Sequence, residues 1–342
     1  MINLLNKIFS SSKNLNEQAT SFETLKKSKA INQLFSAIES YSKNSEIRYV
    51  GGCIRKILNN EKIDDIDFAV NLKPTECIEV LNKKNIKFYE TGIDHGTLTA
   101  IIDNYKFEIT SLRKDLNTDG RHAKVAFTTD WHEDASRRDF TINSIYSDID
   151  GNLYDPFDGK KHLQIGKIEF IGDSEKRIKE DYLRILRYIR FFINYSKLPH
   201  NEKVKKIIKQ NLNGISNISS ERLLDEFKKI INSSSFLRLF QEPFCEEIIN
   251  LIFPQFKNFG IFKKLNSYAE KNIKKVDYIF LISLMLIDNT DNADYFLFKF
   301  NLSKINKKRI LFLKEFYKKE IKNTTFSEKN LLKILYYNGK QS

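Results

Sequence analysis

Between Tyr49 and Val70 the chain reads YVGGCIRKILNNEKIDDIDFAV, and its last eight residues constrain the fold more than any other stretch. Asp65 and Asp67 alternate there with Ile66, Phe68 and Val70. On a strand, alternation sends both carboxylates to one face and the apolar side chains to the other, where they can pack. Two carboxylates this close repel each other unless a cation sits between them. Mg²⁺ suits the arrangement, because it prefers oxygen ligands and accepts substrate phosphates as the rest of its shell. Glu108, between Phe107 and Ile109 in YKFEITSL, supplies a third acid pointing away from a packed face. Three carboxylates from two neighbouring strands suit two-metal phosphoryl transfer. An edge strand with solvent-facing acids shows the same Asp-x-Asp, so the pattern draws its meaning from its surroundings.

Those surroundings point to a phosphate. Gly51 and Gly52 let the backbone approach an anion closely, and the helix predicted over CIRKIL offers N-terminal N–H groups to it. Arg55, one turn into that helix, can reach the same phosphate. GGxxR followed after nine residues by DxD sets a triphosphate cradle beside metal-binding carboxylates. This spacing fits a nucleotide held with its Mg²⁺ for nucleotidyl transfer.

The rest of the chain divides by texture. Residues 1–45 read as a polar arm and then a helix carrying Ile31, Leu34, Phe35 and Ile38 at helical spacing. From about Arg48 to Asp150, the short β-rich runs IRYV, IDFAV, GTLTAII, YKFEITSL and INSIYSDI alternate with helical patterns such as PTECIEVLNKKN. GTLTAIIDN and YKFEITSL predict a hairpin turning near Asp103-Asn104. A Gly- and Asp-punctuated stretch, 150–172, closes this mixed α+β domain, and beyond about Ser174 every strong pattern is helical. There is no fixed-period repeat.

Composition narrows the setting. No apolar run approaches the roughly 20 residues that span a bilayer. The first residues, INLLNKIFSSSKNLNEQ, turn polar too soon for a secretory signal. Three widely spaced cysteines (Cys53, Cys77, Cys245) argue against a disulfide framework and for a reducing cytoplasm. Five scattered histidines (His95, His122, His132, His162, His200) make no zinc-type spacing with cysteine. Net charge is +13 and uneven: residues 201–342 hold 26 Lys and Arg against 15 Asp and Glu, whereas residues 1–200 hold 31 against 29. The basic excess suggests a polyanionic partner gripped by the C-terminal part, although solvated Lys-rich helices give the same count. The aromatics Tyr268, Tyr278, Phe280, Tyr295, Phe296 and Phe298 are assigned to the core of that part.

Five ordered segments carry a family resemblance: YVGGCIRKILNNEKIDDIDFAV, RRDFTINSIYSD (137–148), YDPFDGKKHL (154–163), EDYLRILRYIRF (180–191) and SSERLLDEF (219–227). Together they resemble the motifs of class II tRNA nucleotidyltransferases, the CCA-adding enzymes, and of the related bacterial poly(A) polymerases. The likeness runs from about residue 29 to about residue 230. It implies an N-terminal nucleotidyltransferase head of the polymerase beta-like type, α+β with a mixed sheet, followed by an all-α neck, body and tail. The expected divisions are an arm (1–28), the catalytic head (29–150), a neck for base recognition (151–230) and a helical body and tail for tRNA (231–342).

By the same resemblance, Asp65 and Asp67 are the metal-binding catalytic carboxylates and Glu108 matches the third acid. Gly51, Gly52 and Arg55 face the nucleotide, and Arg138, Asp139 and Asn143 contact its sugar and phosphates. EDYLRILRYIRF and the two residues after it place Leu183, Ile185, Leu186, Ile189, Phe192 and Ile193 on one half of a predicted helix and Asp181, Arg184, Arg187 and Arg190 on the other. On spacing alone that second face is a charge ladder. In the family, the pair matching Asp181 and Arg184 reads the Watson–Crick edge of the incoming base, and Arg187 and Arg190 contact phosphate. Tyr182 stands where many relatives have proline. Lys56 departs from the family's usual acid after the arginine and is expected to pair structurally. RKDLNTDGRHAKVAF (113–127) reads as a mobile polar loop, of the kind that accompanies the family's switch from adding C to adding A. SSERLLDEF is expected to cap and brace the nucleotide-binding helix.

The implied activity is template-independent addition or repair of the 3′-terminal CCA of tRNA from CTP and ATP, with Mg²⁺ and release of pyrophosphate. The implied partner is the acceptor end of tRNA, with no membrane and no protein partner. Two alternatives stay open: an A-adding enzyme or poly(A) polymerase sharing the same site, and a non-catalytic RNA-binding protein on a relic nucleotidyltransferase fold.

Overall fold

The computed structural model describes residues 17–117, 124–288 and 290–318. They fall into two compact units, one running to Asp181 and including Tyr195–His200, the other made of Tyr182–Asn194 and the chain from Asn201 onward.

The described residues hold nine strands: β1 (Ile47–Val50), β2 (Asp67–Val70), β3 (Lys87–Gly92), β4 (Thr97–Ile102), β5 (Tyr105–Ser111), β6 (Arg113–Asn117), β7 (Lys124–Phe127), β8 (Tyr146–Ser147) and β9 (Leu153–Tyr154). Seven form one mixed sheet in the order β3-β4-β5-β2-β1-β8-β9. Its neighbours are antiparallel except β2 and β5, which run parallel with Asp67 opposite Glu108 and Phe68 opposite Ile109. The period of two then sorts the side chains. Ile47, Tyr49, Phe68, Val70, Phe107 and Ile109 enter the main core. Helices α1 (Glu17–Lys26), α2 (Lys29–Glu39), α3 (Gly52–Leu58) and α4 (Pro74–Lys83) add residues to it. Ile31, Leu34, Phe35 and Ile38 of α2 are all buried, as their spacing predicts. Phe35, Tyr49, Phe68 and Phe107 make successive ring contacts with centroids 5.2–5.7 Å apart. Each such burial contributes roughly 1.5–3 kcal/mol. Val50 and Ala69, at the alternate positions, join a smaller cluster with Leu112, Tyr146, and Trp131 and Ala135 of α5 (Trp131–Ser136). Two further helices, α6 (Gly159–Ile165) and α7 (Ser174–Glu180), follow in this unit.

The hairpin between β4 and β5 turns at Asp103 (φ 49°) and Asn104 (φ 67°), the paired left-handed geometry of a type I′ turn. Two local expectations need correction. The polar segment 113–127 is not loop at its ends: β6 and β7 pair antiparallel, Arg113 opposite Phe127 and Asp115 opposite Val125. Phe127 lies against Gly96, an anchor that the polar composition hides. Gly120 and His122 lie outside the described residues. INSIYSDI forms a strand only at Tyr146–Ser147, because Ser144 bonds back to the Thr141 carbonyl through both its N–H and its hydroxyl and turns the chain. Edge strand β3 carries no apolar alternation because it is largely exposed on both faces.

The second unit is helical: α8 (Arg184–Tyr195, its last residue in the first unit), α9 (Glu202–Gln210), α10 (Ser220–Ile231), α11 (Pro243–Ile252), α12 (Ser267–Asn272), α13 (Tyr278–Leu286), α14 (Asn292–Lys299) and α15 (Lys304–Tyr317). Phe227, Phe253 and Phe256 lie within 4.7–5.1 Å of one another, and Phe296 and Phe300 extend the cluster. The other aromatics assigned to the core do not follow. Tyr278 is half-buried, and Tyr268, Phe280, Tyr295 and Phe298 are exposed, Phe298 at 87%. The eight-residue α14 buries one stripe, Ala293 and Phe296, which leaves Tyr295 and Phe298 off that face. No helix among the described residues is long and apolar enough to cross a membrane.

The segment expected as one helix through Asp181 is two. Asp181 is extended (φ −154°, ψ 104°) at the end of α7, and α8 begins at Arg184. Between them the ring of Tyr182 lies on Gly214, where any β-carbon would sit 2.0 Å from Cε1. That close approach holds the new helix start. Gly214→Ala should therefore cost about 1–3 kcal/mol of stability through overpacking, read as a lower denaturation midpoint, and adding Tyr182→Ala should recover part of the loss. An unchanged midpoint for Gly214→Ala would contradict the packing.

Candidate functional site

The site begins at the turn from β1 into α3. Gly51 has φ 70° and ψ −116°, a conformation open in practice to glycine alone. Its N–H donates to the Ile145 carbonyl at 3.4 Å. The β1–β2 ladder pairs Tyr49 with Phe68, so the glycine turn and Asp67 lie at the same end of the sheet. At that end Asp67 and Glu108 are register partners in adjacent parallel strands. Asp65, expected on one strand with Asp67, lies just ahead of β2, which begins at Asp67; it is exposed, as is Glu108. Burial is the main cause that pushes the Asp67 carboxyl up to about 6; Glu108 and then Asp65 add to it, while Arg138 and Lys56 pull the other way. Lys56 also pairs with Asp64, so the departure from the family's acid places a cation beside the carboxylates.

These donors are all oxygens, which suits a hard cation such as Mg²⁺. Among the described residues no three acidic, histidine or cysteine groups converge into a cage. One or two carboxylates completed by substrate oxygens is the usual Mg²⁺ arrangement, and a cation would offset both the burial and the neighbouring acids that raise the Asp67 carboxyl.

Arg55, Asp139 and Asn143 come together behind the turn, each buried at 6–7% exposure. Arg55 Nη1 donates to Asn143 Oδ1, and Asn143 Nδ2 donates to Asp139 Oδ1 at 2.8 Å. The Arg55 guanidinium stands 5.2 Å from the Tyr195 ring centroid, and Tyr195 O–H donates to Glu61 at 3.2 Å. Arg55 Nη2 would lie 4.0 Å from a β-carbon at Gly52. The three residues are thus tied to one another in the structure described.

Arg138 stands at the mouth of the turn, its Nη1 3.7 Å from where a Gly51 β-carbon would be. Its anchor was not legible in the motif. Asp134, 1% exposed, accepts from both Arg137 and Arg138 and from Tyr146 O–H. Burial pushes Asp134 up, but Arg138 and Arg137 outweigh it and leave the carboxyl well below the usual range. Arg113, whose backbone N–H also reaches Asp134, is lowered to about 10, first by burial and then by Arg137. The i, i+3 and i+4 spacing of Asp134 to Arg137 and Arg138 in WHEDASRR is the signal that could have found this cluster.

In the helical unit Arg184 is buried at the start of α8, and Arg187 and Arg190 follow at intervals of three, half-buried. Arg190 Nε donates to Glu226 Oε1 of α10 at 2.5 Å. Burial pushes Glu226 up, and Arg190 with Arg187 more than offsets it. Ser219 caps α10 by accepting from Arg222 N–H. Asp181 is half-buried at the end of the other unit.

A glycine turn, an arginine and paired carboxylates at one end of a mixed sheet define a nucleotidyltransferase head. Residues 47–169 match the family model "Poly A polymerase head domain", and residues 201–259 match "Probable RNA and SrmB- binding site of polymerase A". The chain is 44% identical over 206 residues to human "CCA tRNA nucleotidyltransferase 1, mitochondrial", covering 59% of this chain and 46% of the relative. It is 30% identical over 298 residues to the CCA-adding enzyme of Staphylococcus haemolyticus, covering 85% and 69%. The crystal structure of the Bacillus stearothermophilus CCA-adding enzyme in complex with CTP shares the fold, with a TM-score of 0.73 at 22% identity over 91% of this chain and 76% of that one. The chain belongs to the family of CCA-adding tRNA nucleotidyltransferases and bacterial poly(A) polymerases. It spans about half the length of the human relative.

Asp67 gives a pH test. Its carboxyl titrates near 6 when folded and near the ordinary 3.8 when unfolded, so between those values the folded state binds more protons. Without metal, stability from this group is lost as pH rises through about 6. The melting temperature of Asp67→Asn relative to wild type should therefore climb between pH 4 and pH 7 in chelator. A difference that is flat across that range would contradict the raised Asp67 carboxyl.

Proposed function

We propose that this chain adds or repairs the 3′-terminal CCA of tRNA, using CTP and ATP and releasing pyrophosphate. The observation that carries the reading is the pairing of Asp67 with Glu108 at the sheet end where Gly51 turns beneath Arg138. The names of the human and staphylococcal relatives supply the substrate. The basic excess after residue 200 suits an RNA phosphate backbone gripped by the helical region.

The chemistry is attack of the RNA 3′-hydroxyl on the α-phosphorus of the nucleotide, with pyrophosphate leaving. Such a reaction asks the protein mainly to position groups and offset charge. Asp65 and Asp67, with Glu108 beside them, are the residues that would hold Mg²⁺, two ions in the full scheme, which when bound offset triphosphate charge and activate the attacking hydroxyl. Gly51 and Gly52 give the triphosphate room against the backbone, and Arg138 meets it from the other side. Arg55, Asp139 and Asn143 serve the sugar and phosphate end as one linked group. Asp181 and Arg184 are assigned to the base edge: a carboxylate accepts from the cytosine or adenine amino group, and a guanidinium donates to the ring acceptors. Arg187 and Arg190 complete the ladder toward phosphate, Arg190 held by Glu226. The three widely spaced, buried cysteines suit the reducing cytoplasm proposed as its setting.

Purified protein given tRNAs lacking three, two or one terminal nucleotides should use CTP on the first two and ATP only on the third, stopping after one A. Long A tails on arbitrary RNA would favour the poly(A) polymerase reading. No incorporation at all would favour the non-catalytic one. Asp65→Ala with Asp67→Ala should abolish incorporation while the protein stays folded by circular dichroism. Arg184→Ala should raise misincorporation more than it slows turnover; equal slowing for both nucleotides with unchanged fidelity would count against its role.

A further inference from the structure

Arg138 is held on two sides, by Asp134, which lies outside the five segments, and by Tyr146, a residue of RRDFTINSIYSD with no role assigned from the motif. Tyr146 O–H donates to Asp134 Oδ2 at 2.6 Å, and the Tyr146 oxygen accepts from Arg138 Nε at 2.9 Å. Arg138 Nε and Nη2 also donate to that Oδ2, at 3.3 and 3.0 Å. The three side chains close a ring of hydrogen bonds. Asp134 Oδ1 is engaged separately by Arg137 Nε at 2.8 Å and by the Arg113 backbone N–H at 3.3 Å. Two corners of the Arg138 guanidinium are therefore fixed, and the third, Nη1, is the corner beside Gly51. A free arginine must give up rotamer freedom to meet a ligand; one locked beforehand does not. One carboxylate is also shared between two guanidiniums, Arg137 and Arg138.

We propose that Asp134 and Tyr146 are positioning residues for nucleoside triphosphate binding: they hold the guanidinium plane of Arg138 so that Nη1 faces the phosphates at the Gly51 turn. This rests on the reading of that turn as the triphosphate site. Neither residue touches the nucleotide. Because the phosphates are common to both substrates, the effect is the same for CTP and ATP, which separates it from any role in base choice.

The test uses the full chain with Asp134→Asn and Tyr146→Phe. Equilibrium binding of CTP and ATP with Mg²⁺ is measured calorimetrically, alongside KM, kcat and urea unfolding. Removing the charged anchor should weaken binding of both nucleotides about 10-fold or more, and removing the tyrosine hydroxyl about 5-fold. KM should rise by the same factors, with a smaller change in kcat and unchanged choice between bases. If Asp134→Asn does not fold, Tyr146→Phe decides. Variants that lose stability but bind nucleotide as tightly as wild type would overturn the proposal, since a merely structural role predicts that result. Wild-type protein that binds neither nucleotide would instead overturn the triphosphate reading, and the positioning roles with it.

Discussion

The parallel pairing of β2 with β5 is the constraint on which the site depends. It sets Asp67 directly opposite Glu108, two acids on one face of adjacent strands. Like charges in that position destabilise a sheet, and here the repulsion falls on a half-buried group, whose carboxyl is held up to about 6. The opposite face of the same two strands buries Phe68, Val70, Phe107 and Ile109. That packing fixes the register, since a slip by one residue would turn the acids into the core. Hydrophobic burial thus holds together a charge arrangement that has no stability of its own without a cation.

Around those acids the cations are arranged in depth. Arg138 and Lys56 act on Asp67 from nearby, and each is tied elsewhere, to Asp134 and to Asp64. Arg55 is drawn back into a network with Asn143 and Asp139. In the helical unit Glu226 does for Arg190 what Asp134 does for Arg138. Pairing Arg138 and Arg190 with buried acids limits the desolvation cost of keeping them and leaves their orientation fixed.

The sequence made much of this legible where local chemistry decides. Two glycines before a helix and Asp-x-Asp in an apolar run located the turn and the strand, and Asp103-Asn104 located the hairpin. The buried stripe of α2 followed from its periodicity. Tertiary contacts hid the rest. Tyr146 reaches Asp134 because β8 pairs with β1, placing Tyr146 opposite Val50, and nothing in RRDFTINSIYSD announces that strand order. The helical pattern through Asp181 was continuous, yet the chain bends where Tyr182 meets Gly214, 32 residues away. Phe298 and Tyr295 looked like core by residue type and lie exposed because α14 is short.

On this reading the Asp67–Glu108 face takes up a divalent cation. Paramagnetic Mn²⁺ in place of Mg²⁺, added in small amounts to ¹⁵N-labelled protein, tests it most directly. Selective broadening of the amide signals of Phe68, Ile109 and the Gly51–Gly52 turn is expected, and its loss in Asp67→Asn. Broadening that spares those residues, or that persists unchanged in Asp67→Asn, would contradict it.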